Sequence, residues 1–275
     1  MNPVQKFVAA LFALGTLTTT PGMADNSRDR LTQLDGYGYF ASSDASVCAY
    51  NPVDIETAGT SLSPTASTNG VAALDDGAAA VALTQPFRFY ATAYSSVVVS
   101  TNGYVAFAAT LAEENGGDFS NDPYLPAVPD NSPSSSARIY AYHDELSGEA
   151  AGASLKHAYF AQCPRPSGIV PNEACSVLRW KDWTRLGENQ PIDVELVLYH
   201  ASDSISVQYI SIDASAGGSA CTGVQSANAA DGGAWSCNGT RAISAGSAIC
   251  FFDPAHLPAT VQDHVFSDGF EVSTP

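Results

Sequence analysis

Positive charge is scarce in this chain: 11 Lys and Arg stand against 28 Asp and Glu in 275 residues, a formal charge of −17. A surface so acidic repels phosphate backbones, which excludes nucleic acid as a partner. Charge of either sign is sparse too, at 14% of residues, while 45% are apolar and 10% aromatic. A chain with that balance buries a core and does not stay disordered. Helical periodicity is missing. The small-residue stretch 77–82 (GAAAVA) opens on Gly and runs on like a strand, so it supports no helix of any length. Self-similarity at periods of roughly 20 to 50 residues is also missing, which counts against propellers and solenoids. No segment after the N-terminus approaches about 18 consecutive apolar residues, so none there can anchor the chain in a bilayer.

The N-terminus does carry an apolar run. Lys6 precedes Phe7 to Leu17, and small residues stand at Gly22 and Ala24. A cationic start, an apolar run too short to span a membrane and a small-residue exit make a secretory signal peptide over residues 1–24, cleaved after Ala24. Cleavage removes Lys6 and leaves 28 acidic against 10 basic residues. The six cysteines, Cys48, Cys163, Cys175, Cys221, Cys237 and Cys250, all follow that point. An even count in an exported chain points to three disulfides. Their connectivity is open from sequence alone. Proximity favours Cys163 with Cys175 and Cys221 with Cys237, which leaves Cys48 for Cys250. No C-x-x-C pair and no His at ligand spacing support zinc.

From about Gly70 onward, short runs of Val, Ile, Tyr, Phe and Thr alternate with Gly, Pro, Asn, Asp and Ser, a strand-and-turn pattern. The clearest hairpin runs from Val97 to Phe107 about Asn102-Gly103, read as two positive-φ positions in a tight turn. A second joins 193–200 to 204–210, with Val194, Leu196 and Leu198 on one face and Ile205, Val207 and Tyr209 on one face of its partner. Further strands are expected at 87–91, 138–143, 154–161, 176–181, 221–225 and 248–252. About ten strands in one exported chain of this size predict an all-β, two-sheet, jelly-roll-like β-sandwich, single-domain and disulfide-bonded, with a barrel as the alternative. The domain runs over 71–253, after a loop-rich lead at 25–70 tied down through Cys48 and before a tail at 254–275.

The run Pro86-Phe87-Arg88-Phe89-Tyr90, then Tyr94 to Phe107 around Asn102-Gly103, resembles a pattern of secreted bacterial surface domains. Ile139 to Leu146, Val177 to Trp183 and the hairpin from Val194 to Tyr209 follow in the same order. Together they resemble the nidogen-like (NIDO) extracellular module over about residues 80–252. Ala91 stands where that family commonly has Gly, and His143-Asp144-Glu145 where it commonly has Trp-Asp-Asp. The resemblance implies an extracellular β-sandwich without a catalytic centre, of the kind attached to adhesive proteins. The ending Val265 to Glu271 (VFSDGFE) resembles a motif that recurs on exported Gram-negative proteins. It reads either as a sorting signal or as a tail docking Phe266 and Phe270 on the sandwich.

Few residues invite chemistry. Ser219 in Gly217-Gly218-Ser219-Ala220-Cys221 comes nearest to a nucleophile elbow, but a cysteine stands where the closing Gly should be. A glycosidase needs carboxylates about 5 to 9 Å apart, one of them poorly solvated. Asp144 and Glu145 are adjacent and point to opposite faces, which leaves Asp144 with Asp193 or Glu195 as the possible pair. His143, His157, His200, His256 and His264 lack metal-ligand spacing. Asp75-Asp76-Gly77 and Asp118 to Asp122 offer clustered oxygens, so calcium is possible although neither matches the twelve-residue calcium loop. No other cofactor is implied. His143 to Leu146 spells a retrieval signal that is read only at a C-terminus. Trp180 and Trp183, three apart on a strand, should face opposite ways, so at most one belongs to the core, and the other either packs under a loop or stands exposed as a binding-site lead. Trp183, Trp235 and Asp144 are therefore the possible ligand-binding residues. The reading is an exported, non-enzymatic surface or secreted binding and adhesion module from a Gram-negative bacterium, with an extracellular glycan or protein as partner. The alternative is a secreted hydrolase or carbohydrate-binding accessory domain.

Overall fold

Runs in which apolar side chains alternate with polar ones can hide one face only by stacking against a second such layer. In the computed structural model, which describes residues 31–67, 72–120, 122–130, 135–213, 215 and 217–262, they do so as two antiparallel sheets. The strands are β1 (Leu31–Gln33), β2 (Phe40–Ser42), β3 (Thr60–Ser61), β4 (Thr65–Ala66), β5 (Gly77–Phe89), β6 (Thr92–Ser100), β7 (Tyr104–Ala106) and β8 (Arg138–His143). They continue with β9 (Leu146–Ser147), β10 (Ser154–Phe160), β11 (Cys175–Arg185), β12 (Ile192–Tyr199), β13 (Ile205–Ser211), β14 (Cys221–Gln225), β15 (Gly232–Cys237) and β16 (Ser247–Phe252). One sheet has nine strands in the order β1-β2-β16-β13-β12-β11-β10-β3, with β9 also on β11; the other runs β15-β14-β8-β7-β6-β5-β4.

Between the layers, Val97, Val99, Val105 and Ile139 meet Leu178, Leu196, Val207 and Phe251 in one buried cluster. Two hydrogen bonds stitch the sheets through that core: Trp180 Nε1 donates to Ser100 O at 2.8 Å, and Tyr209 OH donates to Ala141 O at 3.1 Å. Three disulfides join Cys48 to Cys250, Cys163 to Cys175, and Cys221 to Cys237. Cys221 and Cys237 are direct cross-strand partners on β14 and β15, so the bond follows the register.

Three expectations need correction. The Asn102-Gly103 hairpin is a three-residue loop over 101–103, with Val99 opposite Val105, and only Gly103 has a positive φ, at 74°. Such a loop needs a single left-handed residue at its end. Glycine is required there twice over, because a Cβ would stand 2.0 Å from Tyr142 O. Asn102 is instead a buried strut: its Nδ2 donates to Asp76 Oδ1 (3.0 Å) and its Oδ1 accepts from Leu146 N (3.0 Å). The lead at 25–70 does more than hang from Cys48, since β1 and β2 extend the nine-stranded sheet beyond β16, β3 closes its other edge and β4 borders β5.

The third correction concerns the tryptophans. Trp180 and Trp183 are 1% and 0% exposed, and both lie in the main core. The register of β11 against β12 shifts between them, and Asp182 has a φ of 57°. A bulge adds one residue to the strand and reverses the side-chain alternation beyond it. Trp183 thereby turns to the same side as Trp180.

Candidate functional site

The best-organised polar site lies on the outer face of the seven-stranded sheet. Ile139 faces the core, so its neighbour Arg138 faces out, beside the cross-strand pair Tyr104 and Tyr140. The described residues of the long connection between β7 and β8, 107–120, 122–130 and 135–137, fold back over this face. Connections of this length without regular structure are uncommon, and they concentrate function. Its Glu114 and Asp118 accept hydrogen bonds from Arg138 Nη2 and Nη1, and Tyr104 OH donates to Glu114 Oε1 at 3.1 Å. The guanidinium carbon lies 4.5 Å over the Tyr104 ring. Arg138, Glu114 and Tyr104 are fully buried, and Asp118 nearly so. Burial pushes the Asp118 carboxyl above its ordinary range, against the pull of His143 and Arg138.

His143 joins the same roof. Its Nδ1 lies 2.9 Å from Asn102 O and its Nε2 lies 3.0 Å from Ser120 O, so the ring bridges the β6–β7 loop and the long connection. Farther along, Ala127 N donates to Gln225 Oε1 at 2.7 Å, and Leu125 packs on Tyr104 and Tyr140. Tyr124, between these anchors, and Val128, just past the last of them, are 64% and 77% exposed. Pro123, Pro126 and Pro129 limit the backbone freedom of this tip. Sequence reasoning passed over both the buried triad and the tip. The only available signals were an Arg at the head of an apolar strand and three prolines spaced around Tyr124 and Val128.

Asp144 and Ser219 meet at one end of the sandwich. Ser219 Oγ donates to Asp144 Oδ2 at 2.6 Å and accepts from Arg185 Nη1; Arg185 Nε lies 3.7 Å from Asp213, which also accepts from Tyr142 OH at 3.0 Å. Ser219 thus sits between a carboxylate and a guanidinium, where a nucleophilic serine needs an imidazole. Burial, then the charges of Asp76, Asp75 and Asp144, pushes the Glu145 carboxyl up. Burial, then Asp76 and Glu149, does the same to Asp75. Among the described residues no group of three or more His, Cys, Asp or Glu is arranged to hold a metal ion. Of the calcium candidates, Asp76 accepts from Asn102 and Asp118 is held by Arg138.

The carboxylates considered as partners for Asp144 lie elsewhere, on the outer face of the nine-stranded sheet. Asp193 receives Arg179 Nε and Nη2 at 2.8 and 2.7 Å. Glu195 lies beneath a strap formed by 48–56, where its Oε1 accepts from Val53 N at 2.9 Å. The strap is held further by Asn51 N donating to Gln208 Oε1, by Lys156 Nζ on Glu56, and by Cys48. Burial, only partly offset by the Val53 N–H and by Arg179 and Arg165, raises the Glu195 pKa to about 7. A raised carboxyl is the mark of a general acid, but Glu195 has no solvent exposure through which to meet a substrate.

Its effect is on stability. The folded state holds this proton more tightly than the unfolded chain does, so stability falls as pH climbs from the ordinary carboxylate range to about 7. Glu195→Gln removes that fall. The variant is expected to exceed the parent by about 3 kcal/mol at pH 8 and by less than about 1 kcal/mol at pH 5, read from urea unfolding at the two values. An equal difference at both would show that the carboxyl ionises normally.

The remaining sequence candidates are structural. Trp183 donates its Nε1 to Ser154 O at 3.0 Å, and Gly148 packs so closely over its ring that a Cβ would approach to 2.4 Å. Trp235 is 6% exposed, with Arg241 4.3 Å over its ring. Neither offers a free face to a sugar, against the reading of Trp183 and Trp235 as possible ligand-binding residues: the bulge turns Trp183 inward and Arg241 covers Trp235. A serine and a histidine do meet, His200 Nε2 and Ser176 Oγ at 2.9 Å. Ser176, opposite Leu198 on the core side of β11, is fully buried. Burial lowers the pKa of His157 and of His200. His256 Nδ1 lies 3.7 Å from Asp203. The signal segment 1–24, His264 and the VFSDGFE ending lie outside the described residues.

Two antiparallel sheets, three disulfides and a loop-roofed outer face define an all-β domain of the extracellular, disulfide-bonded kind. The chain belongs to the NIDO related family, whose model matches residues 39–267. That span takes in the lead strands β2 to β4 and every later strand, and leaves out β1. No curated protein and no solved structure matches the chain. Among the described residues no helix is long and apolar enough to cross a membrane.

Proposed function

We propose that this chain is an exported, non-enzymatic binding module of the adhesion class, released after Ala24 from a Gram-negative cell, which contacts an extracellular glycan or protein through the tip of the 107–137 connection. The observation that carries this reading is the exposure of Tyr124 and Val128 on a loop held by Arg138 at Asp118 and by Gln225 at Ala127, between the two exposed side chains. A pre-ordered loop loses little entropy on binding, and aromatic side chains are favoured anchors in such contacts. The hydrolase or carbohydrate-binding alternative needs an accessible tryptophan beside converging carboxylates. Trp183 and Trp235 are covered, and Asp144 has Ser219 as partner while Asp193 has Arg179.

The test is a glycan and matrix-protein array probed with the mature chain, with and without a chelator, followed by Tyr124→Ala and Val128→Asp on whatever binds. Each substitution should weaken binding by about tenfold while leaving the melting temperature unchanged. Undiminished binding by both variants, or turnover of any arrayed substrate, would overturn the reading.

A further inference from the structure

We propose that the strap over β12 is a pH-operated lid, seated while Glu195 carries a proton and lifted from the nine-stranded sheet once that proton leaves. The strap can come away without disturbing the sheet. Its ends stay fixed, on one side by the Cys48–Cys250 disulfide and on the other by β3 on β10. Between them, among the described residues, no main-chain hydrogen bond joins 49–56 to a strand. The bonds that seat it run through side chains: Arg165 Nη2 donates to Ala49 O (2.7 Å), Asn51 N to Gln208 Oε1 (2.9 Å), Val53 N to Glu195 Oε1 (2.9 Å) and Lys156 Nζ to Glu56 O (2.7 Å). Val53 and Ile55 add apolar contact, packing in one cluster with Val177, Val197 and Tyr199.

Glu195 is the weak seat. With the strap down it is fully buried; Oε1 has the Val53 N–H, and Oε2 meets no partner. A protonated carboxyl bears that shortage at the cost of one unmade hydrogen bond, whereas a carboxylate in the same place is a buried charge with no ion in contact. The surrounding charges are already engaged. On β11, Arg179 forks onto Asp193 and its Nη1 lies 3.4 Å from Glu56, while Lys181 Nζ lies 3.5 Å from Glu56. Lys156 of β10 meets Glu56 at 3.0 Å, and Arg165 donates to Tyr199 OH and Ala49 O. Asp193, two residues away on the same face of β12, adds like charge. From β13 come the neutral Ser206 and Gln208, and the strap's own Tyr50 and Asp54 stand at the surface.

Lifting the strap returns Glu195 to water and to its ordinary pKa of 4.5, against about 7 when covered. The seated form holds the proton more tightly, so it prevails at low pH. The ratio of lifted to seated strap then grows as pH rises through the interval from 4.5 to about 7, and by about 70-fold in all between pH 5 and pH 8. What opens is the apolar outer face at Val177 and Val197.

Amide hydrogen exchange on the mature chain reads this motion. After division by the intrinsic rates, exchange at Asn51 and Val53 should speed up about 70-fold from pH 5 to pH 8, and at both values it should stay faster than at Val197 in the β12 ladder, which marks local lifting as distinct from global unfolding. Glu195→Gln should leave exchange at Asn51 and Val53 level across the same range. The comparison with Val197 uses the parent protein alone, so it decides the matter even where the variant folds poorly. Exchange at Asn51 and Val53 that is level with pH in the parent, that matches Val197, or that keeps its rise in Glu195→Gln would overturn the proposal.

Discussion

Arg138→Met is expected to destabilise the domain by about 3–5 kcal/mol, measured by urea unfolding at neutral pH. The substitution keeps much of the side-chain volume but strands Glu114 and Asp118 beneath the loop, where water does not reach them. Two carboxylates deprived of their counterion in that setting cost far more than the pair contributes, because each retains its desolvation penalty. Adding Glu114→Gln and Asp118→Asn to the Arg138→Met chain should therefore return most of the loss. The three positions touch one another, so strong non-additivity is itself part of the expectation. A cost below about 1 kcal/mol for Arg138→Met alone would mean that the roof opens and the carboxylates are solvated. The loss should also relax the Tyr124–Val128 tip, tying the ion triad to the proposed contact surface.

The second large effect is expected from the disulfide between Cys48 and Cys250, separated by 202 residues. Cross-linking restricts the unfolded chain more as the closed loop lengthens, and for this loop the restriction is worth about 5 kcal/mol. Replacing both cysteines with Ser should lower stability by that amount. The Cys163–Cys175 and Cys221–Cys237 pairs, with separations of 12 and 16, should each cost about 3 kcal/mol. The bond also anchors a cluster of Phe252, Leu257 and Val261 and one end of the strap over Glu195. Unfolding of the three double mutants side by side gives the ranking. If the short-loop pairs prove as costly as the long one, loop entropy is not the source.

Much of this architecture was legible because it is local. The pairings Cys163–Cys175 and Cys221–Cys237 follow from short separations. The strand Arg138–His143 and the hairpin of β12 and β13 follow from alternation within a single run. The bulge between Trp180 and Trp183 was not legible, because alternation assumes an unbroken ladder and nothing in Lys181-Asp182 announces an extra residue. The lead was misjudged for a related reason: β1 to β4 are two or three residues long, too short to show any period, and they exist because an edge was waiting for them. Asp144 was singled out beside Asp193 and Glu195 because carboxylates look alike in a sequence, whereas their partners, Ser219, Arg179 and Val53 N, differ entirely.

By itself, then, the amino-acid order determined the β class, the net acidic charge and the strand positions within the best-patterned runs, and it favoured the two short-range cysteine pairs, since each depends on neighbours in the chain or on totals. Tertiary structure alone decided which tryptophans were hidden, which carboxylates were neutralised and which loop carried exposed apolar side chains. Burial and pairing depend on what the opposite layer or a distant loop places against a residue, and no count along the chain contains that information.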